Sequence, residues 1–189
     1  SRFPLDRFLT VDSLGSASAN FRLEGRYFSW PQAKTSVNAG IRQLFYKEHE
    51  YKDITLQATL DKTHLRGTMV SKDPDAPLDL VFRGDSLQQQ YQVGLGGYIG
   101  KVDLQALHLM QEPLTMGLKV DLQGFIGEHS AYALKARFDS LSMADSRKTY
   151  TLGSLDIDMA SDLKKTTLDV KTGDLQLTFR ADTSLAGFG

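Results

Sequence analysis

The histidines are the side chains of this sequence best suited to acid–base chemistry or to metal binding. No two of them stand in an HxH, HxxxH or HExxH relation, and the chain has no cysteine that could complete a zinc site. We therefore interpret them as surface histidines in hairpins, and we expect neither a metal ion nor another cofactor. The histidines are His49, His64, His108 and His129.

Other residue types that carry chemistry also lack the required spacing. The carboxylates of "LDIDMASD" at 155–162 do not follow the D-x-D-x-D-G order of a calcium loop. The glycines of "GLGGYIG" at 94–100 do not fit G-x-G-x-x-G, and no strand–helix unit follows them. The serines of "DSLGSAS" and "RGDSL" lie outside any GxSxG elbow. We therefore expect a protein that is not an enzyme.

Composition narrows the choice of partners. Lys and Arg number 22 against 23 Asp and Glu, which gives a formal charge of −1 and no basic stripe for nucleic acid. Hydrophobic residues make up 41% of the chain, enough to fold. No run approaches the roughly 18–20 apolar residues of a membrane-spanning helix. Because the chain opens on Ser1 without a methionine, we interpret residues 1–189 as one segment of a larger β-rich protein.

Period-2 alternation of apolar and polar residues dominates the chain and predicts β-strands with one apolar face and one polar, solvent-exposed face. Glycine- and proline-containing turns separate these runs, so we expect repeated antiparallel meanders with little helix. "VNAGIRQLFYKE" also has helical spacing, but its alternation favours a strand with a bulge near Gln43. "VDLQALHLM" predicts a short connector capped by Asp103.

One phrase occurs twice. "APLDLVFRGDSL" at 76–87 is echoed by "TGDLQLTFRADTSL" at 172–185. Extending the match gives approximate repeat units at 52–87 and 153–185, each of three strands running up, down and up. The register predicts that Phe82 and Phe179 lie on the apolar face, and that Arg83 and Arg180 face solvent.

The apolar face has two possible roles. In a β-sandwich it is the dry core between two sheets, whereas in a single curved sheet it lines an open trough. Both architectures require the same alternation, so periodicity does not distinguish them.

Two longer runs carry a resemblance to a known family. The first is "KVDLQALHLMQEPLTMGLKVDLQG" at 101–124, with D-L-x-A-L-x-L followed by E-P-L-T. The second is "YALKARFDSLSMADSRKTYTLGSLDIDMASDLKKTTLDVKTGDLQLTF" at 132–179, with a "KTY" turn followed by a G-D-L-x-L strand start. In this order the motifs resemble TamB-like proteins of the AsmA-like superfamily, which belong to the translocation and assembly module of Gram-negative bacteria.

The resemblance implies an all-β fold, a long and strongly curved sheet shaped like a taco or trough. It also implies a periplasmic location, an inner-membrane anchor outside this chain, and an outer-membrane β-barrel that pairs with regions absent here. The implied function is non-enzymatic transport of phospholipids between the inner and outer membranes, in the service of outer-membrane biogenesis in the cell envelope. The alternative is a scaffold that assists outer-membrane protein assembly and has a closed β-sandwich core.

In the transport interpretation, phospholipid acyl chains contact the apolar face of the sheet. We call the residues predicted to line this groove the lining set. They are Ile54, Leu56, Leu80, Phe82, Leu118, Val120, Leu134, Phe138, Leu155, Ile157, Leu168, Val170, Leu177 and Phe179.

Overall fold

The computed structural model describes residues 3–4, 14–26, 32–46, 49–87, 90–127 and 131–183. These residues form strands, turns and irregular connections, and none of them is helical. Within this described part of the chain, no helix has the length and apolar character needed to cross a membrane. The predicted all-β fold class is confirmed.

Twelve strands lie side by side in the order in which they occur along the chain, and each pairs antiparallel with the next. This arrangement is a meander, because every connection joins neighbouring strands. The strands are β1 Phe3–Pro4, β2 Leu14–Arg26, β3 Lys34–Tyr46, β4 His49–Asp61, β5 His64–Ser71, β6 Leu78–Leu87, β7 Gln90–Asp103, β8 Thr115–Ile126, β9 Tyr132–Ala144, β10 Thr149–Ser161, β11 Thr166–Thr172 and β12 Leu175–Ala181.

Two local predictions are confirmed. The segment with ambiguous spacing is strand β3, and its pairing with β2 skips Arg42, which places a bulge beside Gln43. The connector after β7 is a series of turns in which the Asp103 carboxylate accepts hydrogen bonds from the N–H groups of Gln105 and Ala106, both at 3.0 Å. This capping closes the turn without a helix.

The described strands form one open layer and not a sandwich. All of them belong to a single sheet, and β12 pairs only with β11. The least exposed apolar side chains of the central strands are Leu80, Val120 and Ala136, at 9%, 4% and 5% exposure. Since no second sheet covers them, neighbours on the same curved face must enclose them. We call this apolar, inner side of the sheet the trough.

Both proposed repeat units consist of three consecutive strands in the structure. Residues 52–87 lie in β4 to β6 and the described part of 153–185 lies in β10 to β12. Their registers differ, because Leu56 pairs with Met69 whereas its counterpart Ile157 pairs with Val170. The turns explain this difference: two residues join β4 to β5, and four join β10 to β11.

Candidate functional site

Strand register places the whole lining set on one face of the sheet. Directly paired residues in antiparallel strands share a face, and residues two apart on a strand do so as well. Ile157, for example, lies between Ala136 on β9 and Val170 on β11, and Val170 in turn pairs with Leu177 on β12. The register thus places the lining set on one surface, the trough, and its contact with lipid stays a prediction.

One row of cross-strand partners runs through the trough from β2 to β12 without a polar side chain. We call this row the apolar stripe. At roughly 4.8 Å per strand step it is about 50 Å long and runs perpendicular to the strands. Its members are Leu23, Val37, Ala58, Gly67, Phe82, Leu95, Leu122, Ala136, Ile157, Val170 and Leu177.

The glycine in the stripe does not leave a gap. Gly67 pairs with Phe82, and the Phe82 ring lies where a Cβ of residue 67 would stand. A side chain at position 67 would therefore displace the ring. The aromatic ring covers the backbone of the neighbouring strand and keeps the apolar surface continuous.

The stripe is less exposed along its interior strands than at its two ends. Ala136 is 5% exposed, whereas Leu23 on β2 is 47% exposed and Leu177 on β12 is 58% exposed. Phe179, which the repeat predicted to lie on this face, does so, but 56% of it is exposed. Large apolar side chains that remain this accessible are free to contact an apolar ligand.

The opposite face is charged and its charges neutralise one another. Arg137 forms an ion pair with Asp139 at 3.0 Å and lies 3.7 Å from Asp156, while Lys135 lies 3.3 Å from Asp158. The hydrogen bond and charge of Asp139, followed by the charge of Asp156, raise the pKa of Arg137. Arg83 and Arg180 also lie on this face and are exposed, as predicted.

Small depressions in the described surface lie on this polar face. One is bordered by Lys135, Arg137, Asp156 and Asp158, which pair with one another across the strands.

The histidines do not all lie where the sequence predicted. His64 in the β4–β5 hairpin and His108 in the β7–β8 connector are exposed, whereas His129 lies outside the described residues. The interpretation of His49 as a surface residue is wrong, since only 9% of it is exposed. It is buried because the connectors after β5 and β7 both fold over the start of β4.

Two carboxylates accompany His49 at this end of the sheet. The ligand atoms of His49, Asp73 and Asp75 all lie within 4.8 Å of one another. Sequence reasoning missed this cluster, because the aspartates lie in the turn "KDPDAP" and approach His49 only once β4 and β5 pair. No short-range spacing carries that information.

Comparisons with family models, with curated proteins and with solved structures find no match to this chain.

Proposed function

We propose that the trough binds phospholipid acyl chains and conducts them between the inner and outer membranes of a Gram-negative cell envelope. The observation that supports this proposal is the apolar stripe, which crosses the sheet from β2 to β12 without interruption and lies in an open layer. The proposal includes a periplasmic location, an inner-membrane anchor, an outer-membrane β-barrel partner and no enzymatic activity.

The energetics of lipid transfer favour such a surface. Burial of one methylene is worth about 0.8 kcal/mol, so a sixteen-carbon chain crossing water without cover faces a cost on the order of 10 kcal/mol. An apolar trough removes most of this cost and leaves the polar head group in water. A path of about 50 Å along the stripe also exceeds the length of a single acyl chain, so binding positions follow one another.

The uniform apolarity of the stripe suits movement of a bound acyl chain along it rather than retention of the chain at one position. A ligand held by a specific polar group has one favoured position, whereas aliphatic and aromatic side chains offer similar contacts at every step. Val37, Leu95, Leu122 and Val170 differ little in polarity. The free energy of a bound acyl chain therefore changes little along the stripe, which permits sliding.

The alternative, a scaffold for outer-membrane protein assembly with a closed sandwich core, has less support. A closed core requires a second layer over Leu80, Val120 and their neighbours, and the described strands supply only one sheet. A scaffold that uses the open sheet instead would contact protein rather than lipid, which the following experiment distinguishes.

The test is site-specific photo-crosslinking in cells that express the full-length protein. A photoreactive residue at Ile157 in the trough is compared with one at Asp156, its neighbour on the polar face. We expect phospholipid adducts at Ile157 and almost none at Asp156, as measured by mass spectrometry. A photoreactive residue at Leu118 in the trough and one at Asp158 on the polar face provide a second comparison.

Two results would contradict lipid transport. Equal labelling of the two faces would mean that lipid contact is nonspecific. Protein adducts at Ile157 and Leu118, without lipid, would favour the scaffold.

A further inference from the structure

The start of one strand and two connections meet at the edge of the sheet where β4 begins and where β5 and β7 end. The start of β4 contributes His49, the turn between β5 and β6 contributes Asp73 and Asp75, and the connector after β7 contributes the backbone of Ala106. The edge of the Tyr51 ring packs on His49, with the ring centroids 4.5 Å apart. The imidazole is thus held in a defined orientation.

The hydrogen bond made by His49 determines which ring nitrogen is available. Its Nδ1 lies 3.1 Å from the carbonyl oxygen of Ala106, and a carbonyl only accepts, so Nδ1 carries the proton and donates it. In the neutral ring, Nε2 then bears a lone pair. This buried atom has no hydrogen-bond partner among the residues that the structure describes. A backbone carbonyl that accepts from Nδ1–H is the usual arrangement around a metal-binding histidine.

Asp73 is the group that this lone pair faces. Only 1% of the residue is exposed, and its carboxylate accepts hydrogen bonds from the N–H groups of Lys52 at 2.7 Å, Asp75 at 2.9 Å and Ala76 at 3.2 Å. These bonds fix the carboxylate beside His49. Oδ1 accepts two of them and Oδ2 accepts one, so the remaining acceptor capacity of the carboxylate is on Oδ2.

The separation between the two groups fits a shared metal ion better than a direct hydrogen bond. His49 Nε2 lies 3.7 Å from Asp73 Oδ1. A hydrogen bond requires about 2.7–3.2 Å. Two ligands bound at about 2.0–2.2 Å around a tetrahedral zinc ion lie roughly 3.4 Å apart, so the separation of this pair is within a few tenths of an ångström of the zinc spacing.

We propose that His49, Asp73 and Asp75 bind a divalent transition-metal ion of the Zn²⁺ type. One imidazole nitrogen and two carboxylate oxygens are ligands that Zn²⁺ accepts, and a fourth position is left for water. The bound ion links the start of β4 to the β5–β6 turn and, through His49, to the β7–β8 connector. The site fixes the edge of the sheet at the start of β4, and it stands independently of what the trough carries.

Calorimetric titration of the metal-free chain with Zn²⁺ tests the proposal. We expect binding of one equivalent, and a loss of affinity of at least about tenfold in His49→Gln and in Asp75→Asn, since even outer-shell substitutions cost about 10–100-fold. His64→Gln is the matched control, because His64 is exposed and lies against Asp85. This control should bind Zn²⁺ like the wild type.

Folding of the variants is checked by circular dichroism in the absence of metal. The backbone carbonyl of Asp75 accepts a hydrogen bond from the Asp103 N–H, and Asp75→Asn leaves this bond unchanged. Asp75→Asn therefore tests metal binding even if His49→Gln fails to fold. Nitrogen NMR of the imidazole rings supplies a second readout in the wild type: Zn²⁺ should shift Nε2 of His49 and leave His64 unchanged. Absence of stoichiometric binding, unchanged affinity in both variants, or unmoved His49 resonances would overturn the proposal.

Discussion

The two copies of the repeated phrase, one in β6 and one in β12, have nearly the same sequence and very different surroundings. Leu80 in β6 is 9% exposed, whereas its counterpart Leu177 in β12 is 58% exposed. Both leucines lie on the trough side of the sheet. The difference arises because β6 has a partner strand on each side, whereas β12, among the described strands, pairs only with β11.

The aspartate that occurs in both copies of the phrase, as Asp85 and as Asp182, also differs in its surroundings. Asp85, which follows β6's Phe-Arg pair, accepts hydrogen bonds from Arg66 at 2.7 Å and His64 at 2.6 Å. The positions that match Arg66 and His64 in the second copy hold Asp169 and Thr167. No ion pair is found for Asp182 among the described residues. The repeated strand pattern therefore sets which way side chains point, and the neighbouring strands set what they meet.

The largest expected effect comes from placing a charge in the trough at the matched leucines. Leu80→Arg buries a cation without a partner and should lower the free energy of unfolding by several kcal/mol. Leu177→Arg leaves the guanidinium in water and should change it by less than about 0.5 kcal/mol. Urea unfolding of both variants measures the difference. Equal losses would mean that a further layer covers β12, contrary to the exposure of Leu177.

An intermediate effect is expected in two hairpin turns, one in each repeat unit, whose first residue has a positive φ. Gly173, the first residue of the β11–β12 turn, has φ of +52° and no atom near its missing Cβ. Gly173→Ala should lower the free energy of unfolding by about 1 kcal/mol because of backbone strain alone.

Lys62 is the first residue of the β4–β5 turn and has φ of +53°. Lys62→Gly should therefore relieve backbone strain and leave the free energy of unfolding unchanged or slightly higher.

Gly153 offers a control for that comparison. It lies in β10, has open space around its missing Cβ and does not have a positive φ. Gly153→Ala should therefore not destabilise the chain, as thermal unfolding can show. A loss as large as that of Gly173→Ala would contradict the assignment of the cost to the turn.

The smallest effect concerns the Asp85 carboxylate. The hydrogen bonds from Arg66 and then from His64 lower the pKa of Asp85. A lowered folded-state pKa stabilises the fold above the pKa of the unfolded chain, and this contribution disappears as pH falls through the folded-state value. Asp85→Asn should thus have a lower free energy of unfolding than the wild type at neutral pH and the same value in acid.

Asp182→Asn is the control and should have the same free energy of unfolding as the wild type throughout. Urea unfolding across this pH range measures both, and a pH-independent loss in Asp85→Asn would assign the effect to packing.

The sequence by itself determined the strands and their faces. Alternation is a local property: successive residues of a strand point to opposite sides whatever surrounds it. For this reason the shared face of the lining set, the bulge beside Gln43 and the connector capped by Asp103 were all predicted without a structure. The match between 52–87 and 153–185 likewise identified two groups of three antiparallel strands.

Only the tertiary structure decided which apolar side chains are enclosed and which polar groups meet. The same alternation fits a sandwich and an open trough, because it records the direction of a side chain and not the presence of an opposing layer. Leu80 and Leu177 show this directly, since similar local sequence leads to opposite exposure. His49 and Asp73 show it for polar groups: they come together through the pairing of β4 with β5, a contact between residues distant in the chain that no local pattern encodes.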